Sequence, residues 1–425
     1  MKFKMNKTEK SWVLYDFANS SYATIMVAAI FPIYFSQVCE SVGQTGDYWW
    51  GIASSVSALI VAVLAPIIGA LADIKGYKKK LLVFFIALGL GFSIIGALST
   101  HWQMLLTAYL VSNIGFLGGN VVYDSFLTDI TSRDRMATIS SWAYGLGYIG
   151  GSTIPFLMGV ALVVFGENFG VDGTMAVKYS LWIMIFWWGL FSIPIIKNVQ
   201  QIHGIDKPQD FRLLDTWGWV IETAKKIVKN KAMLVLMASY FFYIDGVNTV
   251  ISMSTSYGTT LGLDSTGMIL ALVVTQLVAF PCAIYFGQLS QKFGSLKMIK
   301  VAIWIYLLIC SLAFVMGYGL EESVLTLQQS TTLFWILAIL VGMVQGGIQA
   351  ISRSTFAKLV PPENSGEYFG FFDIFGKFAA IMGPALYASI LAITGKSYFA
   401  IFSLIVLFIL ALVILKFGKN ELSNL

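Results

Sequence analysis

Twelve apolar runs dominate the sequence, and each is long enough to cross a bilayer. They lie at about 12–37, 48–71, 80–99, 103–127, 137–165, 177–196, 232–257, 265–289, 297–318, 331–356, 367–394 and 397–416. A membrane-spanning helix needs about 20 apolar residues. Only 12% of the residues are charged, against about a quarter in soluble proteins, and 57% are hydrophobic. The sequence therefore predicts an all-α polytopic membrane protein with twelve transmembrane helices.

Lysines and arginines are distributed unevenly between the loops on the two sides of these runs. One set of alternate loops, together with the two chain ends, carries 23 of the 27, and the opposite set carries only Lys178 and Lys396. Basic loops remain on the cytoplasmic side of a membrane. Both termini are thus predicted to be cytoplasmic. The first run exceeds a signal-peptide core and lacks a small-residue cleavage site, so we expect it to be retained.

The longest connection, 197–231, divides the chain into two similar halves, 1–196 and 232–425. Gly69 and Gly287 begin similar loops 218 residues apart, and Pro155 and Pro384 stand 229 residues apart in the fifth and eleventh runs. Parallel repeats of six helices are a known transporter plan, with the substrate site where the repeats meet. The sequence predicts two pseudo-symmetric six-helix bundles joined by a cytoplasmic linker.

The linker contains apolar residues at helical spacing with lysines between them. The apolar residues are Phe211, Leu214, Trp217, Ile221 and Val228, and the lysines are Lys225, Lys226 and Lys229. This pattern is typical of an amphipathic helix that lies in the membrane interface. We expect it to be a tether without a role in substrate binding.

Carboxylates and carboxamides interrupt the apolar runs at corresponding places in the two halves. Asp16 and Asn19 lie one helical turn apart in the first run, and Asp245 and Asn248 repeat this arrangement in the seventh. A charge in hydrocarbon is costly and usually marks a substrate or ion pathway. Asp245 lies about 21 Å along a helix from Lys231, near the midplane, whereas Asp16 is only about 6 Å into its run. We expect substrate or proton binding at both carboxylates; the alternatives are a structural ion pair for Asp245 and partial solvation for Asp16.

Further polar side chains in the runs are candidates for the same pathway. Those in the fourth run share one helical face, and those in the tenth do likewise. They line a polar cavity or, alternatively, bind neighbouring helices together, as intramembrane amides often do. The candidates are Tyr22 in the first run, Asn113, Asn120 and Asp124 in the fourth, and Gln345, Gln349 and Ser352 in the tenth.

Three charged residues in the tenth and eleventh runs are also candidates. Asp373 and Lys377 stand four residues apart with the acid first, which is the favourable order for an intrahelical pair. Alternatively, Lys377 lies opposite Asp245, and its ammonium releases or accepts that carboxylate as a substrate or proton arrives. Arg353 is near the basic end of its run, and the alternative to a functional role is a side chain that only extends to the interface.

The glycines of the fifth run indicate close helix packing. Gly145-Leu-Gly147-Tyr-Ile-Gly150 matches a dinucleotide fingerprint, but no strand precedes it, so the match is spurious. Gly147, Gly151 and Gly159 are spaced by multiples of four, which gives one smooth face, and Pro155 predicts a bend.

Several function classes are excluded by what the sequence lacks. His101 and His203 are isolated, and Cys39, Cys282 and Cys310 have neither metal nor redox spacing. No carboxylate pair, nucleophile elbow or metal cluster points to catalysis. The basic residues sit in short loops between apolar runs, which does not indicate nucleic-acid binding. We therefore expect no enzyme activity, no cofactor and no metal.

The loop after the second run, Gly69-Ala-Leu-Ala-Asp73-Ile-Lys-Gly76-Tyr-Lys78-Lys79-Lys80, resembles the corresponding loop of the major facilitator superfamily. In that family the aspartate matching Asp73 helps to latch the cytoplasmic face when the carrier opens outward. The physical basis would be a carboxylate near a helix N-terminus and neighbouring arginines. The alternative is a turn glycine beside topogenic lysines. The resemblance implies gating roles for Asp73, Gly76 and Lys78, and Arg353 and Asp373 are the other gating candidates.

Longer motifs resemble the branch of that superfamily related to fungal autophagy-related vacuolar amino-acid effluxers and their bacterial relatives. These motifs are 12–20, 123–130, 345–354 and 369–377. The resemblance implies a secondary transporter that works by alternating access as a monomer in the lipid bilayer. Its solute would be an amino acid or related zwitterion, moved outward with coupling to protons or another ion. The alternative is a lipid or lysolipid flippase, or a non-transporting receptor, on the same scaffold.

Overall fold

Twelve long apolar helices form the body of the protein. The computed structural model describes residues 4–208, 212 and 215–422. Within these residues, twelve helices are long and apolar enough to cross a membrane, which confirms the predicted number. They are α1 (Lys7–Ser41), α2 (Gly46–Asp73), α3 (Lys78–Leu98), α4 (Trp102–Ile130), α5 (Met136–Phe169), α6 (Gly173–Asn198), α7 (Lys231–Thr260), α8 (Ser265–Phe293), α9 (Ser295–Glu321), α10 (Leu327–Leu359), α11 (Ser365–Thr394) and α12 (Ser397–Phe417).

Several helices begin before the apolar run that predicted them, because polar residues cap their ends. At the start of α1, the Glu9 backbone N–H donates to Asn6 Oδ1 and the Asn6 N–H donates to Glu9 Oε2, both at 2.8 Å. This reciprocal capping box satisfies two amides that the first turn leaves without helical partners. Asn230 likewise caps α7 by accepting from the Met233 N–H at 3.2 Å. Hydropathy alone cannot find these boundaries.

Both α1 and α5 contain a wide-turn segment in the middle of the helix. The π-helical segments are Ala23–Ala28 and Gly147–Thr153. Such segments are frequent at functional sites. The smooth face predicted for α5 packs on α1, since a Cβ on Gly147 would lie 2.9 Å from Ser20 Oγ. The two irregular helices therefore meet close to Asp16.

The described chain forms two compact units. The first comprises 1–133, 146–223 and 360–373, and the second comprises 134–145, 224–359 and 374–425. The boundaries lie inside α5 and α11 as well as in the linker helix, Asp215–Lys229. The predicted division at 196 and 232 is a different one and stays a prediction.

Small residues allow two helix segments to pack closely: the start of α5, which belongs to the second unit, and the start of α11, which belongs to the first. In the first unit, a Cβ on Gly69 of α2 would collide with the backbone of Gly366 of α11. In the second unit, a Cβ on Gly287 of α8 would lie 3.3 Å from the carbonyl oxygen of Ala137 of α5. These four positions are related by the same offsets, 218 and 229, that relate the two halves of the sequence. The internal repeat is therefore visible in the packing.

The linker helix has two apolar faces. Val220, Thr223 and Ile227 are buried, whereas Trp217 is 46% and Ile221 54% exposed. Phe211 and Leu214, which were predicted to belong to this helix, lie outside the described residues. An exposed apolar face beside lysines is what an interfacial helix requires, and its place at the membrane surface stays a prediction.

Candidate functional site

The predicted polar residues of α1 and α4 meet in the first unit. Asn19 Nδ2 donates to Asn120 Oδ1 at 2.6 Å. Asn19 is buried, whereas Asn120, Asp16 and Asp124 are half-buried. The amides thus bind two helices together, and the two carboxylates and Asn120 remain partly accessible. The structure therefore brings Asn19 and Asn120 into contact, and Asp16 and Asp124 lie on the same two helices.

Tyr22 and Asn113 serve the packing of the first unit. The Tyr22 hydroxyl lies 2.7 Å from Ser112 Oγ, and its ring stacks on Phe116 with centroids 4.8 Å apart. Asn113 Nδ2 donates to Ser57 Oγ at 2.7 Å. For Asn113, the alternative of helix-to-helix bonding is therefore the one the structure shows. Tyr22 is fully buried, and its contact with Ser112 directs its hydroxyl to α4.

Asp245 lies in the interior of the second unit with no exposed surface. Its Oδ1 accepts a hydrogen bond from the Gly383 backbone N–H at 2.9 Å. Its Oδ2 and the hydroxyl of Thr249, one helical turn further on, have no hydrogen-bond partner within the described residues. No described lysine or arginine pairs with Asp245, so a structural ion pair does not account for it. Asn248, on the same helix, is half-buried.

The polar residues of α10 have different surroundings. Gln345 is buried and faces a cavity inside the second unit, whereas Gln349, one turn further on, is half-buried. Ser352 Oγ lies 2.6 Å from the Tyr243 hydroxyl of α7. Gln345 and Ser352 are therefore directed to different neighbours.

The side chain of Arg353 does not reach the interface, so that alternative is wrong, while its gating role stays a prediction. Its side chain is buried, its Nε donates to Ser140 Oγ of α5 at 2.9 Å, and its guanidinium lies 4.4 Å from the Tyr144 ring centroid. A guanidinium can stack on an aromatic ring while it donates hydrogen bonds in its plane. Partners on α5 thus hold it inside the second unit.

Asp373 and Lys377 lie one helical turn apart in α11, and both are half-buried. The unit boundary falls directly after Asp373. Their gating and binding roles remain predictions.

Asp73 sits at the N-terminus of α11 in the first unit. It is buried, its Oδ1 accepts from the Gly366 N–H at 2.7 Å, and its Oδ2 accepts from the Glu367 N–H at 2.9 Å. A carboxylate at a helix N-terminus satisfies orphan amides and complements the helix dipole. The carboxylate thus lies at a helix N-terminus, with Lys78 rather than an arginine as its basic neighbour. The gating role of Asp73 stays a prediction.

Lys78 forms a buried ion pair that anchors the start of α3. Its Nζ lies 2.8 Å from Asp129 Oδ2 and donates to Ser365 Oγ at 2.8 Å and to the Ser125 carbonyl at 3.4 Å. Both charged side chains are fully buried. The ammonium therefore links α3, the end of α4 and the start of α11.

A short segment after α6, residues 199–206, is bound to the same loop; we call it the strap. The Ile205 N–H donates to the Asp73 carbonyl at 2.8 Å, and its own carbonyl accepts from the Lys75 N–H at 3.0 Å. Gln201 Oε1 accepts from the N–H of Gly76, whose φ of +79° suits glycine. Asp129 Oδ1 accepts from the Ile202 and His203 N–H groups, at 2.9 and 2.7 Å.

Sequence reasoning did not assign Asp129, Gln201 or Glu367. Asp129 is the second-last residue of the motif 123–130 and could have been found, because an acid just after an apolar run is a natural partner for a basic loop on the same side. Glu367 Oε2 accepts a hydrogen bond from Thr223 Oγ1 of the linker helix at 2.5 Å. Nothing in the local pattern distinguishes Gln201 from an ordinary polar loop residue, or Glu367 from any polar residue at the start of an apolar run.

The described residues 4–208, 212 and 215–422 contain no group of three or more His, Cys, Asp or Glu side chains that could hold a metal ion. The three cysteines are free thiols.

An exposed ion pair joins the ends of α9 and α12. Lys396 Nζ lies 2.8 Å from Glu322 Oε1. The hydrogen bond and charge of Lys396 hold the pKa of Glu322 below its ordinary value, and the hydrogen bond to Glu322 raises the pKa of Lys396. The pair therefore stabilises the folded state at neutral pH.

We expect this small stabilisation to disappear at both ends of the pH scale. It is lost in acid as the pH falls through the lowered pKa of Glu322, and in alkali as the pH rises through the raised pKa of Lys396. The difference in melting temperature between wild type and Glu322→Gln, measured against pH, should be small at neutrality and vanish in acid. Glu167→Gln, at an exposed glutamate outside this pair, is the control. A difference that grows in acid would contradict the assignment.

The chain is similar over most of its length to known transporters. The model of the family described as "Vacuole effluxer Atg22 like" matches residues 51–136 and 128–422. The uncharacterized MFS-type transporter YxiO of Bacillus subtilis (strain 168) is 43% identical over 428 residues, which span 99% of this chain and 97% of that protein. Autophagy-related protein 22 of Coccidioides immitis (strain RS) is 24% identical over 409 residues, 79% of this chain and 66% of that protein.

A solved structure shares the fold. The crystal structure of the major facilitator superfamily transporter FucP in the outward conformation has a TM-score of 0.68 and 13% identity, and 97% of each chain is covered. At this identity the likeness concerns the fold alone. It confirms the predicted major facilitator fold.

Proposed function

Since this chain belongs to the Atg22-like family of vacuole effluxers and is a membrane transporter of the major facilitator type, we propose that it moves a small polar solute by alternating access, coupled to protons. The solute class is an amino acid or related zwitterion, and the direction is outward across a bacterial inner membrane. In this proposal both termini are cytoplasmic, since the basic loops carry nearly all lysines and arginines.

The observation that supports proton coupling most strongly is the isolation of Asp245. An ionised carboxylate without a cation, enclosed in a membrane helix bundle, is expensive. A proton on Oδ2 removes the charge. The protonated oxygen can then donate a hydrogen bond, which the neighbouring Thr249 hydroxyl can accept. The backbone bond from Gly383 to Oδ1 is compatible with either protonation state, so the site can gain and lose its proton without disturbing that contact. We propose that Asp245 carries the coupled proton.

The polar group in the first unit is the corresponding candidate for the solute. Asp16 and Asp124 are acceptors for an ammonium group, and the Asn19–Asn120 pair fixes the helices that carry them. The second unit has candidates of its own, since Asn248, Gln349 and Lys377 are half-buried side chains able to bind a carboxylate.

Gating is proposed for the network around Asp73. Asp73 accepts hydrogen bonds at the N-terminus of α11, and Lys78 of α3 donates one to Ser365 of α11. Gly76 forms the turn whose N–H donates to Gln201. Arg353 plays the equivalent part for α5 through Ser140. Asp373 stands at the point where α11 passes from the first unit to the second. These residues would hold or release helix ends as the carrier changes state.

Proteoliposomes containing the purified protein test the proposal. Labelled amino acids are enclosed inside the liposomes, and the external buffer is made more acidic than the interior. The loss of label from the liposomes is then followed. We expect faster loss of at least one amino acid than in protein-free liposomes, and a protonophore should slow it. Label loss equal to that of protein-free liposomes for every amino acid would overturn the solute class. Protein-dependent loss of label at a rate that the protonophore does not change would overturn proton coupling.

A further inference from the structure

A cavity lies inside the second unit, apart from the Asp245 site. The centres of water-sized molecules can occupy about 80 Å³ of it, and its walls come from α7, α8, α9, α10 and α12. Ile309, Met316, Phe334 and Leu337 are typical of its lining. Concave sites lined mainly by apolar side chains with a few polar groups bind small molecules in many proteins.

The cavity and Asp245 use different faces of α7. Val250, Ser254 and Tyr257 face the cavity at helical spacing, whereas Asp245 is directed at Gly383 of α11. Neither Asp245 nor Thr249 is among the lining residues. The cavity is therefore separate from the proposed proton site.

Two glutamines bring polar atoms without partners to the cavity wall. Gln345 of α10 is 2% exposed, and its Nε2 has no hydrogen-bond partner among the described residues. Gln276 of α8 likewise has a buried Oε1 without a described partner. Buried amide groups are nearly always hydrogen-bonded. The wall thus presents an unused donor and an unused acceptor.

The other polar groups of the wall are already satisfied. The Tyr257 hydroxyl donates to the Ala313 carbonyl at 2.7 Å, and Thr275 Oγ1 donates to the Ala271 carbonyl at 2.9 Å. None of the described residues that line the cavity is charged. A charged occupant would have no counter-charge there, so the complementary occupant is neutral.

We propose that this cavity binds an uncharged molecule with an apolar body and one hydroxyl or amide group, held between Gln276 and Gln345. The occupant's oxygen accepts from one glutamine amide, and its O–H or N–H donates to the other. The apolar body fills the space between α8, α9 and α10. The site goes beyond the proposed solute pathway and does not depend on it.

The test uses the full-length protein in nanodiscs and three probes of similar shape: phenylbutanol, butylbenzene and phenylbutylammonium. Ligands that bind the folded state raise its melting temperature in a concentration-dependent way. We expect phenylbutanol to give a saturable rise. Butylbenzene, which lacks the hydroxyl, should bind about tenfold more weakly, and phenylbutylammonium should give no saturable rise.

Matched leucine variants locate the effect. Gln345→Leu and Gln276→Leu keep the approximate size of the side chain and should each weaken phenylbutanol binding about tenfold. Gln328→Leu, at an exposed position on α10, should leave it unchanged. Equal responses in wild type and both cavity variants would mean that the alcohol acts through the bilayer, and would overturn the proposal. So would the absence of a saturable rise.

A photoreactive diazirine analogue of phenylbutanol gives an independent readout that does not require the variants to be stable. After irradiation of wild-type protein and mass spectrometry, we expect the label on α8, α9 or α10 segments that line the cavity, with protection by excess phenylbutanol. Labelling confined to lipid-facing residues would contradict the assignment.

Discussion

Asp245→Asn is expected to abolish proton-driven solute movement and to leave the protein folded. The amide oxygen of asparagine can still accept the hydrogen bond that Gly383 donates to Oδ1, so the contact between α7 and α11 survives. What the variant loses is the ability to bind and release a proton. The proton-driven rate in proteoliposomes should fall to that of protein-free liposomes, while the free energy of unfolding changes by no more than about 1 kcal/mol.

Asp264→Asn is the matched control for this experiment. Asp264 caps α8 by accepting from the Gly267 N–H at 2.7 Å, and asparagine caps a helix equally well. The same chemical change is thus made outside the membrane interior, and transport should be unaffected. Solute exchange without a pH gradient should persist in Asp245→Asn if only coupling is lost. Undiminished proton-driven transport by Asp245→Asn would remove this carboxylate from the mechanism.

Lys78→Met is expected to be the most destabilising of the single changes considered. It leaves Asp129 fully buried with a charge that only the N–H groups of the strap partly compensate. Removal of one partner of a buried ion pair costs about 3–5 kcal/mol. The melting temperature of the purified protein should fall accordingly, whereas Lys80→Met, at an exposed lysine two residues further on, should change it little.

The double variant Lys78→Met/Asp129→Asn distinguishes the contribution of the ion pair to stability from that of side-chain packing. Asparagine keeps an oxygen for the Ile202 and His203 N–H groups but carries no charge. We expect the double variant to be less destabilised than the sum of its single variants, since neither buried charge then remains alone. Additive losses would show that Lys78 and Asp129 act independently and that their pairing contributes nothing.

The sequence predicted the helices well because membrane crossing imposes a length and a composition that any run must meet. It also singled out Asp245, since a carboxylate in an apolar run is conspicuous whatever its partners. The contact partners of these polar residues could not be predicted from the sequence. The position of Arg353 along α10 left open that its side chain extends to the interface, yet its bond is to Ser140, 213 residues away. Contacts of that separation depend on how helices pack, which periodicity does not encode.

Asp73 shows where a resemblance adds to such reasoning and where it ends. Its place at a helix N-terminus follows the family pattern, and the structure gives the donors, Gly366 and Glu367. The strap does not follow from any motif. Its bonds to Asp73, Gly76 and Asp129 come mainly from backbone groups, and backbone groups are the same in every sequence.

The strap also determines where the chain can be cut. Fragments meant to be produced separately and recombined would ordinarily be separated at the end of α6, after Asn198. A cut there would strip Asp129 of two amide donors and leave the Asp73 carbonyl without the one that Ile205 supplies. The N-terminal fragment should instead continue through Asp206, whose carboxylate pairs with Lys75 at 2.8 Å.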